Sequence, residues 1–423
     1  MSQAANKLHD IQAQQSLSVE AARKNIYAVL PKIEALESIN IRQALGRYLG
    51  KPIISSLNVP AHTNSAVDGY ALSYADIKAG QSDFKIIGTA LAGHVFANKS
   101  ASGECIRITT GAVMPAGCDT VIMQEDVTLS DESMTINPDH QSPVHRAGQH
   151  VRQAGEDLSI DETVFSPGRK LHAGDIGLIA SLGIPEVFVK RRLRVAFFST
   201  GDELRSLGQP LKQGDVYDSN RYILYSMLTD MDCDIIDMGV IPDQSDAIRA
   251  AFQQASENVD LVLTSGGVSV GDADYVKMIL DELGEINFWK LNMKPGRPLA
   301  FGQLNGATFF GLPGNPVAVM VTFFQFVIPA IRKMMGAEDL DVLTITAISQ
   351  NRLKKQAGRT EFQRGILSRN QDGEMVVQSS GSQGAGILSS VSRSNCLIIL
   401  DESQATVEAG DRVAVQPYIN FMR

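Results

Sequence analysis

Leu193-Arg-Val-Ala-Phe-Phe-Ser199, Cys233-Asp-Ile-Ile-Asp-Met-Gly-Val240 and Asp260-Leu-Val-Leu-Thr264 are the stretches on which the fold turns. Each is short and largely apolar, as expected of a strand buried on both faces. Helical patterns follow them, over Ser219 to Asp230, Ser245 to Ser256 and Ala273 to Leu283. Strands alternating with helices of this length predict a doubly wound, parallel α/β domain spanning residues 191–336. In such a sheet ligands bind beyond the carboxyl ends of the strands, where the strand order reverses. The loops after these three strands are therefore the first place to look for chemistry.

Outward from this region the pattern changes. Leu17 to Leu49 reads as helical, with Val19, Ile26 and Leu30 at helix spacing and Ser18 as N-cap. Between Lys51 and His150 short segments rich in Val, Ile, Gly and Thr predict a β-rich module, with strands at Phe84 to Gly88 and Glu104 to Ile108. A helix is expected from Ala173 to Ser181. Met375 to Gln378, Cys396 to Leu400 and Arg412 to Gln416 predict a second β module near the C-terminus.

The chain has 423 residues, 44% hydrophobic and 20% charged, which suits about three globular domains and excludes disordered, collagenous and disulfide-scaffold classes. A net charge of −9 argues against nucleic acid or an anionic membrane as partner. Cys105, Cys118, Cys233 and Cys396 are scattered, which argues against a zinc ribbon and fits a reducing cytoplasm. The first residues are polar and Gln-rich, unlike a signal peptide. The longest apolar run, Val317 to Ile331, falls short of about 30 Å of hydrocarbon and contains Thr322, Gln325 and Pro329. It predicts a buried helix.

The three loops carry carboxylates and glycines. They read Ser199-Thr-Gly-Asp-Glu203, Val240-Ile-Pro-Asp243 and Thr264-Ser-Gly-Gly-Val-Ser-Val-Gly-Asp-Ala-Asp274. Gly266 and Gly267 let the backbone approach a ligand, N–H groups near a helix start favour an anion, and Ser265 and Ser269 add hydroxyls. Neither a Walker loop nor Gly-x-Gly-x-x-Gly is present. Glu203, Asp243 and Asp274 together suit a hard cation such as Mg²⁺, which keeps waters and bridges substrate phosphates. Taken singly, each reads better as a helix N-cap or an N-terminal charge; it is the three together, beside an anion-binding loop, that point to a site.

Lys290, Lys294 and Arg297 crowd into Phe288-Trp-Lys-Leu-Asn-Met-Lys-Pro-Gly-Arg-Pro298. Their even separation puts Lys290 and Lys294 on one face of an extended segment, stiffened by Pro295 and Pro298. A rigid cationic edge suits phosphate or another oxyanion, although a solvated surface strand has the same composition. Pro313 and Pro316 hold a tight loop ahead of the apolar helix. Asp68-Gly69 is a turn signal, and Arg152 to Asp157 sets a cation beside two carboxylates.

Six motifs now stand in order: Asn64-Ser-Ala-Val-Asp-Gly-Tyr-Ala71, Arg107-Ile-Thr-Thr-Gly111, Gly155-Glu-Asp157, Ser199-Thr-Gly-Asp-Glu-Leu204, Thr264 to Gly271 and Gly311-Leu-Pro-Gly-Asn-Pro316. The set resembles the molybdopterin molybdenumtransferase family, the bacterial MoeA type related to the gephyrin C-terminal domain, from about Leu17 to Pro417. The resemblance implies an elongated homodimer with a shared active site. It implies four domains: a discontinuous α+β domain (1–60 and 151–190), an inserted β-rich domain (61–150), the α/β molybdopterin-binding domain (191–336) and a C-terminal β-barrel-like domain (337–423). It implies insertion of molybdate into adenylylated molybdopterin, with release of AMP and a requirement for Mg²⁺. Other cofactor-biosynthesis proteins and recipient molybdoenzymes are its implied partners.

By match to the motifs, Asp68 and Asp274 are expected to be catalytic, followed by Asp157 and Asp243. Thr110, Arg152 and Glu203 are expected to line the site. Lys290, Lys294 and Arg297 would offset substrate charge, and Arg364 in Phe362-Gln-Arg-Gly365 would bind an oxyanion. Two positions depart from the family pattern. Ala318 stands where a Ser commonly follows Pro316-Val317, and Ala385 where the glycine-rich segment commonly offers a Ser. Each removes a hydroxyl, so weaker molybdate binding or an altered choice between molybdate and tungstate is expected. An ATP-dependent molybdopterin adenylyltransferase and a gephyrin-like non-enzymatic scaffold are the competing readings.

Overall fold

The structure is a computed structural model that describes residues 16–137, 146–266 and 275–418. Helix α1 (Val19–Val29) is capped by the Ser18 hydroxyl, which accepts from the Ala21 N–H at 3.1 Å. It ends at Leu30, whose extended backbone (ψ 128°) is what a following proline, Pro31, demands. The helical reading of Leu17 to Leu49 therefore holds for one α-helix and a single 3-10 turn, Ile41–Gln43. Leu36–Asn40 is instead a strand, paired antiparallel with Glu186–Lys190. Ile53, Leu158, Ile179 and Val189 share one core, so the segments on either side of the inserted sheet fold together.

That inserted sheet has six strands. The strands near the candidate residues are β1 (Asn64–Ser65), β2 (Gly69–Leu72), β3 (Glu104–Ile108), β4 (Thr120–Met123) and β5 (Val151–Arg152), of which β2, β3 and β4 belong to that sheet. β2 lies between β3 and β4, and β1 pairs separately with β5.

The α/β domain comprises β6 (Arg194–Thr200), α2 (Ser219–Asp230), β7 (Asp234–Ile241), α3 (Ser245–Ala255), β8 (Leu261–Ser265) and α4 (Tyr275–Leu283). It continues with β9 (Gly284–Lys290), β10 (Met293–Lys294), β11 (Pro298–Leu304) and β12 (Ala307–Leu312). The sheet order is β7-β6-β8-β12-β11-β9. The first four strands are parallel, as expected, but β11 runs antiparallel to both of its neighbours, β12 and β9, so the sheet is mixed. Side chains alternate across it. Val195 and Phe197 face α2, whereas Ala196 and Phe198 face α3 and α4. Phe252 of α3 meets Phe198 and Phe309 edge-on, at centroid distances of 5.1 and 5.7 Å.

The apolar run predicted to be a buried helix is one. It comprises α5 (Pro316–Thr322), a π turn (Phe323–Val327) and α6 (Ile328–Met334). At 19 residues it is longer than the apolar run, and 83% of its most apolar window is buried inside the protein. Beyond it, β13 (Ile345–Ser349), β14 (Thr360–Arg369), β15 (Met375–Ser379), β16 (Cys396–Leu400) and β17 (Arg412–Pro417) form a closed sheet. The additional pairing of β14 with β16 closes the ring, and β10 adds to its β14 edge.

Candidate active site

Strand order reverses at β6, the first strand of the α/β domain, which lies between the second (β7) and the third (β8). The crevice rule places the site at the carboxyl ends of β6 and β8. There the face that carries Phe197 and Leu263 two residues earlier carries Ser199 and Ser265, which are register partners. Gly266 (φ +87°) brings the chain against the β6 loop. A Cβ on it would lie 2.7 Å from the Thr200 carbonyl oxygen, so only glycine fits. The Gly266 Cα also lies 3.9 Å from where a Cβ of Gly314 would be, so three strand ends meet here.

The two described loop carboxylates expected to hold a cation, Glu203 and Asp243, are exposed. Asp202, which the sequence reading passed over, ties their loops together by accepting the Asp243 N–H at 3.1 Å. Among the described residues no group of three metal-binding side chains exists. Gly267, Ser269 and Asp274 lie outside the described residues.

Sequence reading also passed over the start of α2. Asp218 caps the helix, accepting from the Arg221 N–H at 3.1 Å, and is 2% exposed. Asn220 donates to the Ser265 hydroxyl and to the Gly314 carbonyl, both at 2.7 Å. Ser199 Oγ, Asp218 Oδ2, Asn220 Oδ1 and Thr264 Oγ1 are buried without a partner. Such groups cost about 1–3 kcal/mol each, and three of them, on Ser199, Asp218 and Asn220, lie on the α2 side of the sheet, where stability is given up. Asp218-Ser-Asn220 was the available signal, but it reads as a helix cap and nothing more.

The cationic segment is not one strand. β9 ends at Lys290, the chain turns, and β10 joins Lys294 to the barrel. Lys290 and Lys294 therefore belong to different sheets, and the even-spacing argument fails because the turn interrupts the extended backbone. Lys290, Lys294 and Arg297 are all exposed. Lys294 is paired with Glu361 at 3.3 Å. Pro313 is buried and Pro316 opens α5.

Arg364 is 1% exposed and has no carboxylate partner among the described residues. Its Nε donates to the Ser390 hydroxyl at 3.1 Å, and its Nη2 to the carbonyls of Gly384 and Ser382 at 3.1 and 3.3 Å. Burial pulls its pKa down. The glycine-rich loop above it reaches the start of α5, where the Val317 N–H donates to the Ala385 carbonyl at 3.2 Å. The two departures, at Ala318 and Ala385, thus fall beside one another.

Asp68, Thr110, Arg152 and Asp157 gather on the inserted sheet and its return. The Asp68 Oδ1 accepts from the Thr110 N–H at 2.6 Å and the Thr110 hydroxyl at 2.9 Å. These bonds, first the backbone one, hold the Asp68 carboxyl below the usual carboxylate range. Gly69 is required next to it, since a Cβ would lie 1.9 Å from the Ile122 carbonyl oxygen. Arg152 lies opposite Asn64 across β1 and β5, and the Asp157 N–H donates to the Val59 carbonyl at 3.0 Å. Among the described residues none of these four makes a hydrogen bond or ion pair with the crevice of its own chain.

Fold and site define a multidomain protein built around a doubly wound, ligand-binding α/β domain. Three family profiles match. They are the MoeA N-terminal region (domain I and II) over residues 17–183, a "Probable molybdopterin binding domain" over 196–333, and the MoeA C-terminal region (domain IV) over 346–418. The molybdopterin molybdenumtransferase of Haemophilus influenzae is 41% identical over 407 residues, covering 96% of this chain and all of that protein. Gephyrin of Dictyostelium discoideum is 32% identical across 89% of this chain and 59% of its own length. The crystal structure of the molybdopterin biosynthesis moeA protein of Pyrococcus horikoshii superposes with a TM-score of 0.82 at 28% identity, covering 96% of this chain and 100% of that one. The chain belongs to the molybdopterin molybdenumtransferase family, transferases of molybdenum cofactor biosynthesis.

Proposed function

We propose that this chain inserts molybdate into adenylylated molybdopterin and releases AMP, forming molybdenum cofactor. The observation that carries this reading is the crevice where Thr200, Gly266 and Gly314 converge beside Ser265. Close backbone approach and hydroxyls suit a phosphate-linked ligand. Lys290 and Arg297 would offset its charge, with Lys294 partly spent on Glu361. Arg364, buried without a counter-charge, would receive the oxyanion. Pro313 and Pro316 would shape the floor. Asp243 and Glu203 supply hard oxygen donors for Mg²⁺, and Asp274 would join them. An ion of this kind keeps several waters and bridges substrate phosphates, so two or three carboxylates would suffice. When bound, Mg²⁺ would polarise the phosphoanhydride.

Among the described residues Asp68, Thr110, Arg152 and Asp157 make no hydrogen bond or ion pair with this crevice within one chain, which supports a homodimer in which the partner supplies them. The four-domain division stated above belongs to the same proposal. AMP release from adenylylated molybdopterin, with and without molybdate, tests the reaction; release independent of molybdate rejects it. Mixing Asp68→Ala with Asp243→Ala chains tests the shared site, because a mixed dimer retains one intact site. Activity no higher than that of either variant alone rejects sharing.

A second reading, a scaffold of the gephyrin type, draws on a cavity of about 730 Å³ between α1 and the barrel, lined by Glu20, Asp341, Asp401 and Glu402 among others. Substrate binding without turnover favours it.

A further inference from the structure

The first turn of α2 is held from two sides. Arg221 pairs with Asp237 of β7, its Nε 2.8 and 2.9 Å from the two carboxylate oxygens. On the other side Asn220, 9% exposed, spends both amide protons on two different loops: the Ser265 hydroxyl at the end of β8, and the Gly314 carbonyl after β12. Deeper along the helix Leu224, Met227 and Leu228 are buried against the sheet, so the helix start cannot drift. The Asn220 amide is therefore a strut of fixed length between the two loops that flank the crevice. Its remaining oxygen is buried without a partner, so the side chain gains nothing from the Oδ1 end that would explain its placement.

We infer that Asn220 is a positioning residue. Its amide sets the spacing between the Ser265–Gly266 loop and the Gly311–Pro316 loop, and through it the binding of the adenylylated substrate. This rests on the reaction proposed above. Asn220→Asp keeps the size and shape but has no proton for the Gly314 carbonyl, so the two oxygens repel and the loops part. Parted loops forfeit a contact to the ligand, and one lost hydrogen bond is worth about two- to tenfold in affinity, so a rise in Kd of about tenfold is expected.

Two readouts on the full-length chain decide the matter: hydrogen exchange at the Leu312, Gly314 and Asn315 amides, and the Kd for adenylylated molybdopterin. The expected result for Asn220→Asp is faster exchange together with a Kd raised about tenfold, at an unchanged half-saturation for molybdate. Ser265→Ala, which removes one of the two acceptors, gives the same changes to a smaller degree and serves if Asn220→Asp does not fold. Faster exchange with unchanged Kd overturns the inference, because the strut would then be structural only. Unchanged exchange overturns it as well. A wild-type chain that does not bind adenylylated molybdopterin overturns the reaction and the substrate half of the inference, while exchange still decides whether Asn220 spaces the loops.

Discussion

Arg23 donates its Nε–H to the backbone carbonyl of Gln325 at 2.9 Å, across 302 positions of sequence. That carbonyl is four residues before Pro329, which has no N–H to give it, and it sits in the π turn of the core helix. The same guanidinium also meets the Gln325 side chain, whose amide in turn donates to Gln416 of β17 at 2.7 Å. One arginine on α1 thus links the first helix, the core helix and the barrel.

Arg23→Ala removes the side-chain donors to the Gln325 carbonyl and amide oxygen and should destabilise the protein by about 1–3 kcal/mol. The loss should shrink in a Pro329→Ala background, where the new N–H can reach the same carbonyl. Denaturant melts of the four combinations check this; additive effects would reject the coupling.

Asp68 is read as acting in its ionised form. Thr110 lowers its pKa, so the carboxylate persists as pH falls through the ordinary carboxylate range and is lost only below it. Thr110→Val removes the hydroxyl and keeps the backbone N–H. The acid limb of kcat/KM should move to higher pH, while Thr110→Ser should leave it in place. An unmoved limb in Thr110→Val means that Asp68 does not govern it.

The hydroxyls absent at 318 and 385 should be recoverable in unequal measure. Ala318 is 3% exposed in the first turn of α5, whereas Ala385 is half-buried in the loop above Arg364. Ala385→Ser should tighten molybdate binding about two- to tenfold, the worth of one neutral hydrogen bond, and Ala318→Ser less. Titration with molybdate and tungstate would measure both. Equal affinities in wild type and the double variant would refute the idea.

Arg364 separates binding from stability. Desolvation of a buried cation offsets part of what its three hydrogen bonds contribute, so Arg364→Met should lose only about 1–3 kcal/mol of stability. Its molybdate affinity should fall at least tenfold, the loss of a charge-assisted contact of about 1.5–3 kcal/mol. A large drop in melting temperature with intact affinity would assign Arg364 to the fold instead.

Much of this protein was legible in its residues. The buried runs at Val195–Phe198 and Leu261–Leu263, with helices between them, required a wound α/β sheet because strands covered on both faces have no polar side to show. Six ordered motifs pointed to the family. Local signals also set element ends, as where Pro31 stops α1. What remained hidden depended on atoms far apart in sequence. Lys290 and Lys294 looked like one edge because spacing is blind to the turn between them. Asn220 looked like part of a helix start because only the packed sheet brings Ser265 and Gly314 within reach of its amide. The sequence by itself determined which residues are apolar, charged or conformationally special, and so the class of fold. Tertiary structure alone decided which polar groups meet, since hydrogen bonds act over about 3 Å and follow position in space rather than order along the chain.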